Sequence, residues 1–153
     1  MGVSATGLAG IAGIIGLREI AQGVINHAIY IATVYPRKYD VFSYPAKRSD
    51  GFVDNVNAIP EGMRLRMDPT INFDTQYTNL HPLARQVAKA MQKYGGIIAD
   101  KAGSVTVQGE SARNVQSRGG VSPWPGLFGN TAQIMANFPW DKVQALPFDY
   151  GKP

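Results

Sequence analysis

The chain has 153 residues, enough for one domain with its own core, and at 44% hydrophobic and 17% charged it does not have the composition of a disordered chain. Its 17 glycines and 10 prolines argue for a turn-rich, mainly β protein over a helical bundle. The net charge of +4 comes from scattered Lys and Arg without the basic, aromatic-interleaved stripe of a nucleic-acid binder, and the lack of Cys excludes disulfides and thiolate metal sites.

The opening MGVSATGLAGIAGIIG has no basic flank, and glycines interrupt each apolar run. It is far short of the roughly 20 apolar residues of a spanning helix. The expected form is a tightly packed apolar loop that needs something to cover it, either a second polypeptide or neighbouring copies. Leu17 to Gln22 suits a short helix stopped by Gly23. Val24 to Val34 predicts a central strand with Ile25, His27, Ile29 and Ile31 on one face and Ala28, Tyr30, Ala32 and Val34 on the other.

An aromatic, proline-rich excursion, YPRKYDVFSYPAKRSDGF, follows as a surface loop of the kind that often carries function. Met63 to Asp68 predicts a short strand with Met63, Leu65 and Met67 inward and Arg64, Arg66 and Asp68 outward. Leu80, Leu83, Ala84, Val87, Ala88, Met91 and Tyr94 then recur at spacings of three and four, predicting an amphipathic helix over about 80–94. Pro82 suits its first position and Gly95-Gly96 its end. Ile97 to Ala99 and Val105 to Val107 predict a β-hairpin over about 96–109, with Gly103 at a positive-φ turn position. A long loop follows Glu110, then one helical turn over 131–137 and an edge strand over Val143 to Leu146.

Chemistry has few places to sit. His81 precedes Pro82 and suits a helix cap. His27 is either a core histidine or a site histidine looking into a cleft. No HExxH or paired-histidine spacing, serine-nucleophile elbow or phosphate-binding glycine loop occurs, and nothing in the sequence requires a cofactor. The polar residues that remain are Lys47, Arg48, Asp50 and Asp54 in the aromatic loop, with Arg64, Arg66 and Asp68 on their strand. Tyr30, Tyr39, Tyr44, Trp124 and Trp140 are candidates to stack on sugar rings. His27, Asp50 and Asp68 are the candidate catalytic groups. Arg64, Arg66, Tyr30, Tyr44, Lys47 and Arg48 are the candidate ligand-binding groups. A glycosidase would need two carboxylates facing one bond, and Asp50 with Asp68 is the pair this sequence offers. A solvated ion-pair surface explains the same residues without any ligand.

The phrases GLAGIAGIIGLREIAQGVINHAIYIAT, YPAKRSDG, IPEGMRLRMDP, VAKAMQKYGGIIADKAG and FPWDKVQAL, in that order, span most of residues 4 to 147. Together they resemble the C-terminal half of a group of secreted bacterial and fungal proteins with a β-sandwich of jelly-roll type. The resemblance implies an extracellular α+β chain forming part of such a sandwich, completed by further strands from another segment or polypeptide. It maps His27, Asp50, Arg64, Asp68 and Asp100 onto matched polar positions, with Asp100 expected to serve the turn. A polysaccharide partner follows by fold analogy. The expected function is carbohydrate binding or processing. The alternatives are an assembly subunit that completes a neighbour's sheet and a lyase in which His27 or a tyrosine abstracts a proton while Arg64 neutralises a carboxylate.

Overall fold

The computed structural model describes residues 2–122, Trp124 and residues 131–153. Their core is one five-stranded mixed sheet with a single substantial helix on one face. The strands are β1 (Ile29–Thr33), β2 (Arg64–Met67), β3 (Gly96–Lys101), β4 (Thr106–Val107) and β5 (Val143–Ala145), in the order β4-β1-β3-β2-β5. β1 and β3 run parallel, and the remaining pairs are antiparallel. The helices are α1 (Leu17–Gln22), α2 (Pro82–Lys93) and α3 (Arg113–Gln116).

Helix α2 forms as its periodicity predicts. Pro82 opens it, the His81 ring accepts the Leu83 N–H at 3.2 Å, and Gly95 follows it in the left-handed region at φ 80°. Its apolar stripe, Leu83, Ala84, Val87, Ala88 and Met91, packs on Ile29, Ile31, Leu65, Met67 and Ile98 of the sheet. Burying a large aliphatic side chain of this kind stabilises the fold by roughly 1.5–3 kcal/mol. On the opposite face Tyr30, Ile97 and Ala99 form a smaller cluster with Leu8 and Ala28. The N-terminal segment lies over this face: a Cβ on Gly13 would meet the Tyr30 ring at 2.0 Å, so only glycine admits the approach. Two residues of that segment, Val3 and Ile11, are 60% and 65% exposed.

The predicted hairpin does not form. β3 is paired on both edges, with β1 and with β2, so β4 crosses to the open edge of β1, where Val107 opposes Ile31. Accordingly Gly103 is not in the left-handed region. The helix, the mixed α and β content and the β5 edge strand stand as expected. Two facing sheets, which a sandwich requires, are not formed among the described residues. The strand predicted from Val24 begins only at Ile29, which places His27 in the bend before β1. β3 begins at Gly96, opposite Ile29, so nothing upstream is left for the strand to pair with, and Glu19 holds the bend by accepting the Asn26 N–H and bonding the His27 ring. Within the loop after Glu110, α3 forms; Pro123 and residues 125–130 lie outside the described residues.

Candidate functional site

Three places gather polar side chains, and the predicted residues divide among them. The first surrounds His27. Its Nε2 lies 3.0 Å from Glu19 Oε2 and its Nδ1 lies 2.8 Å from the Ala28 carbonyl oxygen. Both ring nitrogens thus face acceptors, an arrangement that a doubly protonated ring satisfies on both sides. A proton-abstracting role would first require one nitrogen to be released. Glu19 also accepts the N–H of Gly16 at the start of α1 (3.0 Å), and Glu110 accepts that of Leu17 (2.9 Å). Two carboxylates therefore cap one short helix, their oxygens 3.5 and 3.7 Å from where a Cβ on Gly16 would stand. Burial works to raise the Glu19 carboxyl, but the Gly16 and Asn26 N–H groups and the His27 ring outweigh it and hold its pKa below 4.5.

The second place is the far end of the sheet. Asp50, Glu61 and Asp100 each bring a carboxylate oxygen within 4.8 Å of the others. Lys101 Nζ lies 2.9 Å from Asp50 Oδ2. Lys47 and Arg48 stand beside this cluster but turn to the N-terminal segment, the Lys47 N–H donating to the Thr6 carbonyl and Arg48 Nε to that of Ala5. Tyr44 donates its N–H to Asp149 Oδ1 at 2.7 Å. Nearby, the exposed rings of Tyr35 and Phe52 meet edge to face at 6.4 Å.

Asp68 does not join Asp50. It ends β2 in a tight turn, accepting the N–H and hydroxyl of Thr70, while Glu61 precedes the other end of the strand. β2 itself spans about 10 Å at about 3.3 Å per residue, and Asp68 and Glu61 lie beyond its opposite ends. Asp50 is engaged with Lys101 and Asp68 with Thr70, and the two carboxylates share no partner among the described residues. Arg66 is exposed and donates to Gln144 at 2.9 Å. Arg64 shares a row with Ile97 and Tyr30 across the sheet. Tyr30 is 6% exposed beneath Gly13, which leaves no ring face for a ligand. Burial raises its hydroxyl pKa above 10 against the opposing pull of Arg64.

The third place is a cleft of about 670 Å³ between β4, α3 and the two 3₁₀ turns Thr131–Met135 and Trp140–Lys142. Trp124 and Trp140 line it together with Gln108, Glu110, Arg113 and Gln116. The Trp124 ring lies over Gly109, where an added Cβ would meet it at 2.4 Å, and its indole N–H donates to the Glu110 carbonyl at 2.8 Å. The glycine lets the ring lie against the backbone, and the hydrogen bond fixes its orientation. Trp140 is held by Phe138, their centroids 4.5 Å apart. Both tryptophans were legible as stacking candidates, whereas Glu110, Arg113 and the glutamines were not. These come from segments that only the folded chain brings together.

Comparison with family models, with curated proteins and with solved structures finds no match to this chain.

Proposed function

We propose that this chain is a carbohydrate-binding component and that its ligand lies in the cleft walled by Trp124 and Trp140. The observation that carries the reading is the make-up of that cleft. Flat indole faces match the apolar faces of pyranose rings, and the carboxylate, guanidinium and amides around them suit several hydroxyls at once. Its volume falls within the range of small-ligand sites. An extracellular setting, and a place in the secreted group that the sequence phrases resemble, belong to the same proposal.

Binding to a panel of neutral and acidic polysaccharides, followed by affinity electrophoresis, tests it. The expected outcome is retardation by at least one polymer, lost in a Trp140→Ala, Arg113→Ala double variant and retained in Arg66→Ala. Retardation by none, or unchanged retardation of the double variant, overturns the reading. Neither His27 nor Arg64 lines the cleft, so a His27→Ala, Arg64→Ala variant is expected to bind as well as the native chain if it folds.

A second reading is favoured by a different observation. Beyond α2 the core face of the sheet holds an apolar hollow of about 240 Å³, lined by Ile31, Ile59, Leu65, Ile98 and Val143. It is the kind of surface a further polypeptide would cover in an assembly, where this sheet would be one layer of a jelly-roll sandwich, and the exposed Val3 and Ile11 offer a second such surface on the other face. Light scattering separates the two readings: a stable monomer that binds polysaccharide removes the second.

A further inference from the structure

We propose that Asp50, Glu61 and Asp100 form a binding site for a hard divalent cation, with Ca²⁺ the ion that best suits their spacing. The three residues come from the loop after Pro45, the turn before β2 and the far end of β3, so no sequence spacing announces them. One oxygen from each lies within 4.8 Å of the other two. Oxygens that share a Ca²⁺ at roughly 2.3–2.6 Å are at most about 5 Å apart, so all three can reach one ion.

An acidic cluster alone is ordinary, but Glu61 is not. Its side chain is 0% exposed. Oε2 accepts the Asp50 N–H at 3.1 Å and the Ser49 hydroxyl also acts on this carboxylate, while Oε1 is buried with no partner in hydrogen-bond geometry. Asp50 Oδ1 is likewise buried and unpartnered. A carboxylate oxygen stripped of water and given nothing in return is costly, and two such oxygens in one acidic cluster call for a positive species there. Lys101 does not supply it, because its ammonium is engaged at Asp50 Oδ2 and at the Asp50 carbonyl. A proton shared by Glu61 and Asp50 would satisfy those two oxygens without engaging Asp100, whose carboxylate accepts only the backbone N–H groups of Lys101 (2.9 Å) and Ala5 (3.5 Å). A divalent ion satisfies all three.

The fold also aims the third ligand. The β1–β3 register slips between Ile31 and Ala32, so Ala99 is an extra residue on β3, and its carbonyl accepts the buried Thr6 hydroxyl at 3.0 Å. A bulge of this kind re-aims the side chain that follows it. Here that residue is Asp100, whose Oδ1 is oriented by the Lys101 N–H at 2.9 Å.

Calorimetric titration of the EDTA-treated, desalted full chain with CaCl₂, together with thermal melts, tests the site. The expected result is one Ca²⁺ per chain and a Tm rise of about 3–8 °C at about 10 mM Ca²⁺. Both should be abolished in Asp100→Asn, which keeps the shape and the Lys101 N–H contact. Glu61→Gln should behave alike. Should Glu61→Gln fail to fold, Asp100→Asn alone decides. Absence of heat and of any Tm change with Ca²⁺, Mg²⁺ and Mn²⁺ in the native chain overturns the proposal in favour of the shared proton. Undiminished binding by a folded Asp100→Asn variant overturns it too, by placing the ion elsewhere.

Discussion

Burial is the largest influence on the Glu61 carboxyl and pushes its pKa above 4.5; Ser49 and the Asp50 N–H oppose this, and the Asp50 charge adds to the rise. The folded chain therefore holds this proton more tightly than the unfolded one, so in the absence of a cation this group's contribution to stability is fully present below about pH 4.5 and is lost as pH rises above it. Glu61→Gln keeps the shape without the charge. In EDTA at about pH 7.5 it should melt above the native chain, and the gain should fade towards about pH 4. A Gln variant that melts lower than the native chain in EDTA at neutral pH would refute this account of the site. With Ca²⁺ added, only the native chain should gain. Glu19 has the opposite sign. Its lowered pKa stabilises the fold above 4.5, and that contribution is lost as pH falls through the folded value. Glu19→Gln should cost about 1–2 kcal/mol at neutral pH, less on acidification below about 4.5, as read from denaturant midpoints across pH. His27 was visible in the sequence as a residue to explain, but its partner was not: Glu19 sits on a separate helix, and a bend brings them together.

Among the elements, those with strong local signals were legible. α2 carries a full apolar stripe between a proline start and a glycine stop, and α1 ends at Gly23 in the left-handed region. β3 was legible as a strand but not in its pairing, because a buried Ile-Ile-Ala run states that both faces are covered and says nothing about which strands lie beside it. Gly103 separates the predicted hairpin from the observed topology, and Gly95 tests the helix stop that both share. Gly95 has φ 80°, and a Cβ there would stand 2.7 Å from the Leu65 carbonyl oxygen, so Gly95→Ala should destabilise by more than about 1 kcal/mol. Gly103 has ordinary φ and open space around it, so Gly103→Ala should change stability by less than about 0.5 kcal/mol. A type of turn that needs positive φ at Gly103 would give a large loss instead. Within α2, Met91→Ala should cost about 2–5 kcal/mol, because Met91 is fully buried against the sheet.

At the scale of the whole molecule, the order β4-β1-β3-β2-β5 makes β3 the strand that every other part of the sheet depends on. This also explains why neither the cleft nor the acidic cluster could be read from sequence: both combine strand residues with residues of distant loops, and their neighbours are fixed by strand order. β3 exchanges hydrogen bonds with β1 on one side and β2 on the other, beneath a fully packed α2. β4 has two half-buried residues and one partner, and β5 is a three-residue edge. Amides of Ile97, Ile98 and Ala99, and those of Val87 to Met91 in α2, should therefore open only with global unfolding. Thr106, Val107 and the β5 amides should exchange through local fraying at much lower free energy. Native-state hydrogen exchange resolved by residue distinguishes this from a β3–β4 hairpin, which would protect Thr106 and Val107 in step with Ile97 to Ala99. Addition of a polysaccharide that binds the cleft should slow exchange in β4 and α3 selectively, because those elements line it, while β3 amides would slow only by the gain in global stability. Uniform slowing throughout the chain would place the ligand away from the tryptophan cleft.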